Sequence, residues 1–197
     1  GLCCQLSGTG FIIAVDTLKE LGWGATCLTE DMEFTMKLAL NNQKVAWAHD
    51  AVIYDEKPLT LKQSWRQRKR WMQGHADVAT RFFGKLIKKA VKDKDWTALD
   101  CAVYLVQPVR VLAMAFIMFM SWAQTFYPNG DLGFIQLSYL FKSPVIWNII
   151  VTLQFLYTPF VLAFERREFT KKMFISYIGY MFYQFTWIPI TIQGMLD

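Results

Sequence analysis

Histidine occurs only twice in this 197-residue chain, and its four cysteines, Cys3, Cys4, Cys27 and Cys101, never fall into a CxxC spacing. Zinc sites draw on such ligands in close register, so no zinc site is expected. Free thiols in a reducing compartment are the expected state of the cysteines. The chain opens at Gly1 without an initiator Met or the charged and apolar pattern of a secretory signal, and we read it as a fragment. Nothing in it resembles a base-reading module, so no nucleic-acid partner is expected from its basic residues.

Charge is missing over long distances. Residues 144–164 and 173–196 carry none, and Cys101 to Phe126 is interrupted only by Pro108 and Arg110. Each run is long enough for a hydrocarbon core that needs about 20 residues, so three transmembrane helices are expected, at about 101–126, 144–164 and 173–196. A hydrophobic content of 54% supports a membrane chain over a soluble domain. Lys and Arg crowd residues 66–94 and 165–172, whereas Tyr127 to Ser143 has only Lys142. The positive-inside rule then places the first two regions in the cytoplasm. Gln107, Arg110, Gln154, Gln184 and Gln193 would face other helices or a cavity, and packing is the expected role of Tyr157, Tyr180, Tyr183 and Trp187.

The stretch with the densest chemistry is Thr60 to Gly74, ThrLeuLysGlnSerTrpArgGlnArgLysArgTrpMetGlnGly. Thr60 and Gln63 fit a capping box, which starts a helix just ahead of Gln67, Arg70 and Trp71. Spacings of three and four put that amide, guanidinium and indole on one helix face. A guanidinium fork matches phosphate oxygens, an indole offers a flat apolar surface to a sugar ring, and an amide bonds hydroxyls. Beyond Gly74 the helix continues with Val78, Phe82, Leu86 and Ile87 on one side and Arg81, Lys85, Lys88, Lys89 and Lys92 around them. That pattern is expected to lie in the membrane interface.

Upstream, Leu6-Ser7-Gly8-Thr9-Gly10 leads into Phe11–Val15, an expected buried strand, followed by a short helix capped by Asp16 and ended by Gly22. Thr29 is the expected N-cap of the next helix, with Glu30 and Asp31 in its first turn and Asn41-Asn42 at its exit. Val45–His49 and Ala51–Asp55 read as two short strands. Alternation of strand and helix implies an α/β domain. Asp93-Lys94-Asp95 spells a DxD triplet, but its place between a basic helix and an apolar span makes Asp95 a helix cap instead.

Thr29-Glu30-Asp31, then Gln67-Arg68-Lys69-Arg70-Trp71, then an interfacial helix and spans, resemble the membrane-embedded family 2 glycosyltransferases: cellulose, hyaluronan, chitin and poly-N-acetylglucosamine synthases. The likeness covers almost the whole chain and is strongest from Leu6 to Gly74. It implies that Asp31 is the catalytic base, that Gln67, Arg70 and Trp71 contact the donor diphosphate and acceptor sugar, and that Gly8, Thr9 and Gly10 border the acceptor, with Glu30 beside them in the substrate site. It also implies a nucleotide-sugar donor, UDP-GlcNAc or UDP-Glc, with Mg²⁺ or Mn²⁺ held mainly by an upstream half that the chain does not contain. By itself the chain is then expected to be inactive.

The expected organisation is a partial α/β glycosyltransferase domain in residues 1–59, motif-bearing and interfacial helices in 60–95, and transmembrane helices in 96–197. The expected activity is inverting transfer to a growing polysaccharide at the cytoplasmic face of the cell membrane, in contact with lipid and an accessory export subunit. Transfer to a lipid carrier, or a non-catalytic anchor or transporter component, are the alternatives. Sugar, linkage and processivity stay open.

Overall fold

In the computed structural model the described residues are 5–126 and 171–197, with Leu153, Tyr157, Phe160, Val161 and Phe164 between them. Two compact units are present, one made of residues 1–116 with Trp187–Asp197, the other of Ile117–Thr186. Among the described residues the helices are α1 (Val15–Leu21), α2 (Glu30–Leu40), α3 (Leu61–Asp93), α4 (Trp96–Leu105), α5 (Gln107–Phe126), α6 (Lys171–Phe185) and α7 (Trp187–Leu196).

The axis of the first unit is α3, whose 33 residues extend about 50 Å at helical rise. Its start is set by a capping box: Thr60 Oγ1 accepts from Gln63 N at 3.2 Å, and Gln63 Oε1 accepts from Thr60 N at 3.2 Å. Its end comes at Lys94, which turns left-handed at φ 51°. Asp95 then starts α4, its Oδ1 accepting from Thr97 N at 2.9 Å and Ala98 N at 3.3 Å. The Asp93-Lys94-Asp95 triplet is therefore a helix-to-helix turn, and Lys89 Nζ lies 3.9 Å from Asp93 and 3.6 Å from Asp95. Burial opposes ionisation of Asp95, but the Ala98 and Thr97 amides and the Lys89 charge outweigh it and lower its pKa.

Helices α2 and α4 close over the second half of α3. Met36 and Ala39 of α2, Val78, Phe82 and Leu86 of α3, and Ala98, Cys101, Ala102 and Leu105 of α4 make one core. Burying a side chain such as Phe82 or Leu86 contributes about 1.5–3 kcal/mol. The apolar stripe expected to rest on lipid is thus covered by protein at Val78, Phe82 and Leu86, because two neighbouring helices supply matching faces. A second core joins Leu6, Phe34 and Leu38, edged by Phe11, Ile13, Leu21 and Val45. Trp23 stacks on Phe34 at 5.1 Å and on Phe11 at 6.2 Å between ring centroids.

Several expectations are not met among the described residues. No strand forms among the described residues: Phe11–Val15, Val45–His49 and Ala51–Asp55 have no ladder partner there, and Ile12 and Tyr54 stand 98% and 94% exposed. A strand gains its stability from a neighbour, and among the described residues these segments have none alongside. The first span is not one helix, since α4 and the start of α5 meet at 54° at Val106. Pro108 lies in the first turn of α5, where its missing N–H costs nothing, and it prevents α4 from running on. The run 173–196 likewise breaks at Thr186, with Pro189 in the first turn of α7. Among the described residues no single helix is long and apolar enough to cross a membrane, while the bent α4–α5 pair meets that test by length and composition. The run 144–164, with Gln154, lies outside the described residues except at isolated positions.

Smaller differences are local. Helix α1 begins two residues early, with Ala14 at the N-cap, so Asp16 sits inside the first turn instead of capping it. Gly22 does end α1 at φ 62°. Thr29 occupies the N-cap of α2 without a capping side-chain bond, and Asn41 with left-handed Asn42 ends that helix. Gln193 accepts from Trp65 Nε1 at 2.9 Å, an interhelical bond of the expected kind. In the second unit Tyr177, Tyr180 and Tyr183 stack along α6 at 6.5 and 6.2 Å.

Candidate functional site

The first turn of α2 carries Glu30, which is exposed, and Asp31, which is half-buried. Asp31 Oδ1 accepts from Met32 N at 2.8 Å, a local bond that fixes the carboxylate at the helix start. One turn on, Thr35 Oγ1 donates to Asp31 O at 2.8 Å and accepts from Leu6 N at 3.1 Å. Through Thr35 the segment ahead of Gly8 is tied to α2. A Cβ at Gly8 would sit 3.7 Å from Asp31 Oδ2, so these two predicted site residues are neighbours. Thr9 is exposed, and Gly10 turns at φ 75° against Ile53.

What brings α2 to α3 is Gly74. A Cβ there would fall 2.6 Å from Thr29 Oγ1 and 2.9 Å from Thr29 N, distances that no side chain could occupy. The N-terminus of α2 therefore approaches the α3 backbone one turn beyond Arg70 and Trp71. Sequence reasoning assigned Gly74 no role, although a glycine inside a long helix is itself a signal of close packing.

Gln67 and Arg70 line an open cleft of ≈ 510 Å³ together with Glu56, Lys57, Pro58, Leu59, Gln63 and Arg66. Three cations against one carboxylate, with amides between them, suit an anionic polar ligand. Asp31 and Trp71 do not line this cleft, and among the described residues no hydrogen bond or ion pair joins Asp31 to Arg70 or Trp71. Trp71 is 39% exposed, so its indole remains available to a ligand. The predicted residues fall into two groups, Gly8 with Asp31 and Gln67 with Arg70, bridged by the Thr29–Gly74 contact.

Glu33, which sequence reasoning also missed, is 3% exposed and holds the loop before α2 in place. Its Oε2 accepts from Thr26 N at 2.9 Å and Cys27 N at 3.2 Å, its Oε1 pairs with Lys37 at 3.1 Å, and Arg81 Nη1 stands 3.9 Å away. Burial alone would raise its pKa, but the Thr26 amide, Lys37 and Cys27 outweigh it and bring it to about 2. Burial also pushes the Cys27 thiol up and His75 down. His75 is 1% exposed, packs its ring 5.2 Å from Tyr104, and leaves Nε2 without a hydrogen-bond partner among the described residues. Among the described residues no group of three or more His, Cys, Asp or Glu could hold a metal ion.

An acidic helix start packed against the helix that carries an amide-and-guanidinium cleft fits sugar-phosphate chemistry, and comparison with known proteins gives the class. The family described as Glycosyl transferase family group 2 matches residues 1–165, and the chain belongs to it. It is 24% identical over 201 residues to the probable glycosyltransferase YdaM of Bacillus subtilis, covering 96% of this chain and 44% of that protein. It is 23% identical over 183 residues to a poly-β-1,6-N-acetyl-D-glucosamine synthase of Staphylococcus epidermidis, covering 90% and 43%. A shorter match, 31% over 71 residues, is to the β-monoglucosyldiacylglycerol synthase of Synechocystis sp., covering 36% and 15%. The chain spans less than half the length of the curated relatives it matches first. No solved structure matches it.

Proposed function

We propose that this chain carries the acceptor-side half of an inverting β-glycosyltransferase that moves a sugar from a UDP-sugar, UDP-GlcNAc or UDP-Glc, to a growing polysaccharide at the cytoplasmic face of a membrane. The observation that carries this reading is the backbone-distance contact of Thr29 with Gly74, which sets the start of the Asp31 helix beside the helix of Gln67, Arg70 and Trp71. Asp31 takes the proton of an acceptor hydroxyl as its oxygen bonds the anomeric carbon. The bond from that carbon to the diphosphate breaks on the opposite side, which inverts the centre, and the nucleoside diphosphate leaves. Arg70 stabilises the charge on the leaving phosphate, Gln67 bonds hydroxyls, and Trp71 stacks on the acceptor ring.

The Mg²⁺ or Mn²⁺ implied by the resemblance finds no fitting ligand set among the described residues, where Asp95 is spent on capping α4 and both Asp93 and Asp95 face Lys89. The bent α4–α5 pair and the uncharged run at 144–164 support attachment to the membrane, and an accessory export subunit is part of the same proposal. Residues 11–14, Val45–His49 and Ala51–Asp55 are proposed as strands of an α/β sheet whose partners lie outside the described residues, and the chain by itself is expected to be inactive.

The test uses the full-length protein in membranes, supplied with UDP-GlcNAc or UDP-Glc and assayed for UDP release. Asp31→Asn is expected to lower turnover by at least about a hundredfold, and Trp71→Ala by a comparable factor. Unchanged turnover in both variants would remove the enzymatic assignment of these residues and leave a lipid-binding anchor as the better reading. The glycolipid synthase among the relatives supports a second reading, transfer to a lipid carrier. Products of one or two sugars on lipid, in place of a polymer, would establish it.

A further inference from the structure

We infer that α7 is a positioning element for the Gln67, Arg70 and Trp71 face, and that Gln193 and Gly194 are its positioning residues. The inference rests on the functional reading above and adds a part of the chain to it. α7 meets α3 at Trp65, Arg68, Lys69, Met72 and Gln73. Trp65 Nε1 donates to Gln193 Oε1 at 2.9 Å, the Arg68 guanidinium lies 5.1 Å from the Trp187 ring centroid, and Lys69 pairs with Asp197. A Cβ at Gly194 would stand 2.7 Å from Met72 Cβ, 2.9 Å from Lys69 O and 3.0 Å from Gln73 N. Ile190, Thr191 and Gly194 are buried by this contact.

Helical periodicity puts the residues that α7 grips on one side of α3 and Gln67, Arg70, Trp71 and Gly74 on the other. The turn from Lys69 to Gly74 is therefore held from both sides at backbone distance. Gly194 presses from behind, and Thr29 meets Gly74 in front. With both approaches this close, the depth at which Arg70 and Trp71 stand relative to the start of α2 is set by how far α7 lets α3 recede. A shift of a few tenths of an ångström at Gly194 moves the binding face without touching any group that contacts substrate. The buried Arg68 beneath Trp187 and the Trp65–Gln193 bond fix rotation and register of the same turn.

The experiment again uses the full-length enzyme in membranes with UDP-GlcNAc or UDP-Glc, whichever the unmodified enzyme turns over, and rates are normalised to folded protein. Gly194→Ala is expected to lower kcat by at least about tenfold while the donor KM moves less than about threefold, because alignment is lost and not affinity. Gln193→Leu and Trp65→Phe, which add no bulk, are each expected to cost about threefold, and together no more than the larger of the two. In an Arg70→Lys background Gly194→Ala should lose most of its effect, whereas a helix that merely stabilises the fold would act additively. If Gly194→Ala does not accumulate, the Gln193 and Trp65 variants decide. Unchanged kcat, or full additivity with Arg70→Lys, overturns the inference. It does so with the functional reading intact if Asp31→Asn still abolishes turnover, and if Asp31→Asn is also silent, both fall.

Discussion

The two halves of α3 are both rich in Lys and Arg, and they put those charges to different uses. From Leu61 to Gln73 the helix is backed by α7, and Arg66 and Arg70 make no ion pair among the described residues while they line the cleft. From Gly74 to Asp93 it packs against α2 and α4, and two of its cations, Arg81 and Lys89, are engaged in the fold. Arg81 bonds Asp77 through Nε and Nη2 and Thr26 Oγ1 at 2.7 Å, and Lys89 bonds Asn42 Oδ1 at 2.6 Å besides facing Asp93 and Asp95. A run of basic residues is therefore not one solvated face. Where a neighbouring loop supplies acceptors the charge ties that loop down, and where none does the charge is left for a ligand.

That contrast can be broken most forcefully at the boundary. Gly74→Val should destabilise the full-length protein by about 3 kcal/mol, since neither Thr29 N nor the α3 backbone can yield, and a thermal unfolding midpoint that stays put would show the α2–α3 approach to be looser. Glu33→Gln should cost about 2 kcal/mol by leaving Lys37 and two amides with a weaker acceptor. Because the Glu33 pKa is depressed to about 2, its contribution is complete above the ordinary carboxylate value near 4.5 and is lost as pH falls through about 2. Between those limits the unmodified protein should lose stability that the Gln variant does not, as measured by denaturation across pH. Thr60→Ala, which removes a cap from the first half alone, is expected to cost about 1 kcal/mol. Arg66→Ala should change stability by less than about 0.5 kcal/mol, yet weaken competition by inorganic pyrophosphate in the UDP-release assay. An Arg66 variant that unfolded the protein would erase the distinction between the halves.

Features decided within a few residues were legible in the sequence. The capping box at Thr60 and Gln63, the Asp95 cap, the Gly22 and Asn41 exits and the face shared by Gln67, Arg70 and Trp71 all follow from local periodicity and short hydrogen bonds. Features decided by a partner were not. Ile12 and Tyr54 belong to apolar runs that match strands, yet a ladder requires a second strand that composition does not reveal. The apolar stripe at Val78, Phe82 and Leu86 has one pattern whether lipid or α4 covers it. Uncharged length suggested continuous spans, and Pro108 and Pro189, placed at helix starts, divide them. Of the candidate site, the residue types and their faces were readable, while Glu33 and Gly74 act through contacts with Thr26, Cys27 and Thr29 that span loops or separate helices.

Gly74 and Gly84 lie on the same helix, and only the first has anything within 4 Å of the space a side chain would fill. In a saturation library, position 84 should accept nearly every residue, alanine foremost because it restrains the unfolded chain. Position 74 should accept none. Shortening Thr29 would not restore it, because the obstacle includes a main-chain nitrogen that every genotype retains. A search for second-site suppressors at 29 should come back empty, and descent can revise the chemistry on either helix more easily than the spacing between them.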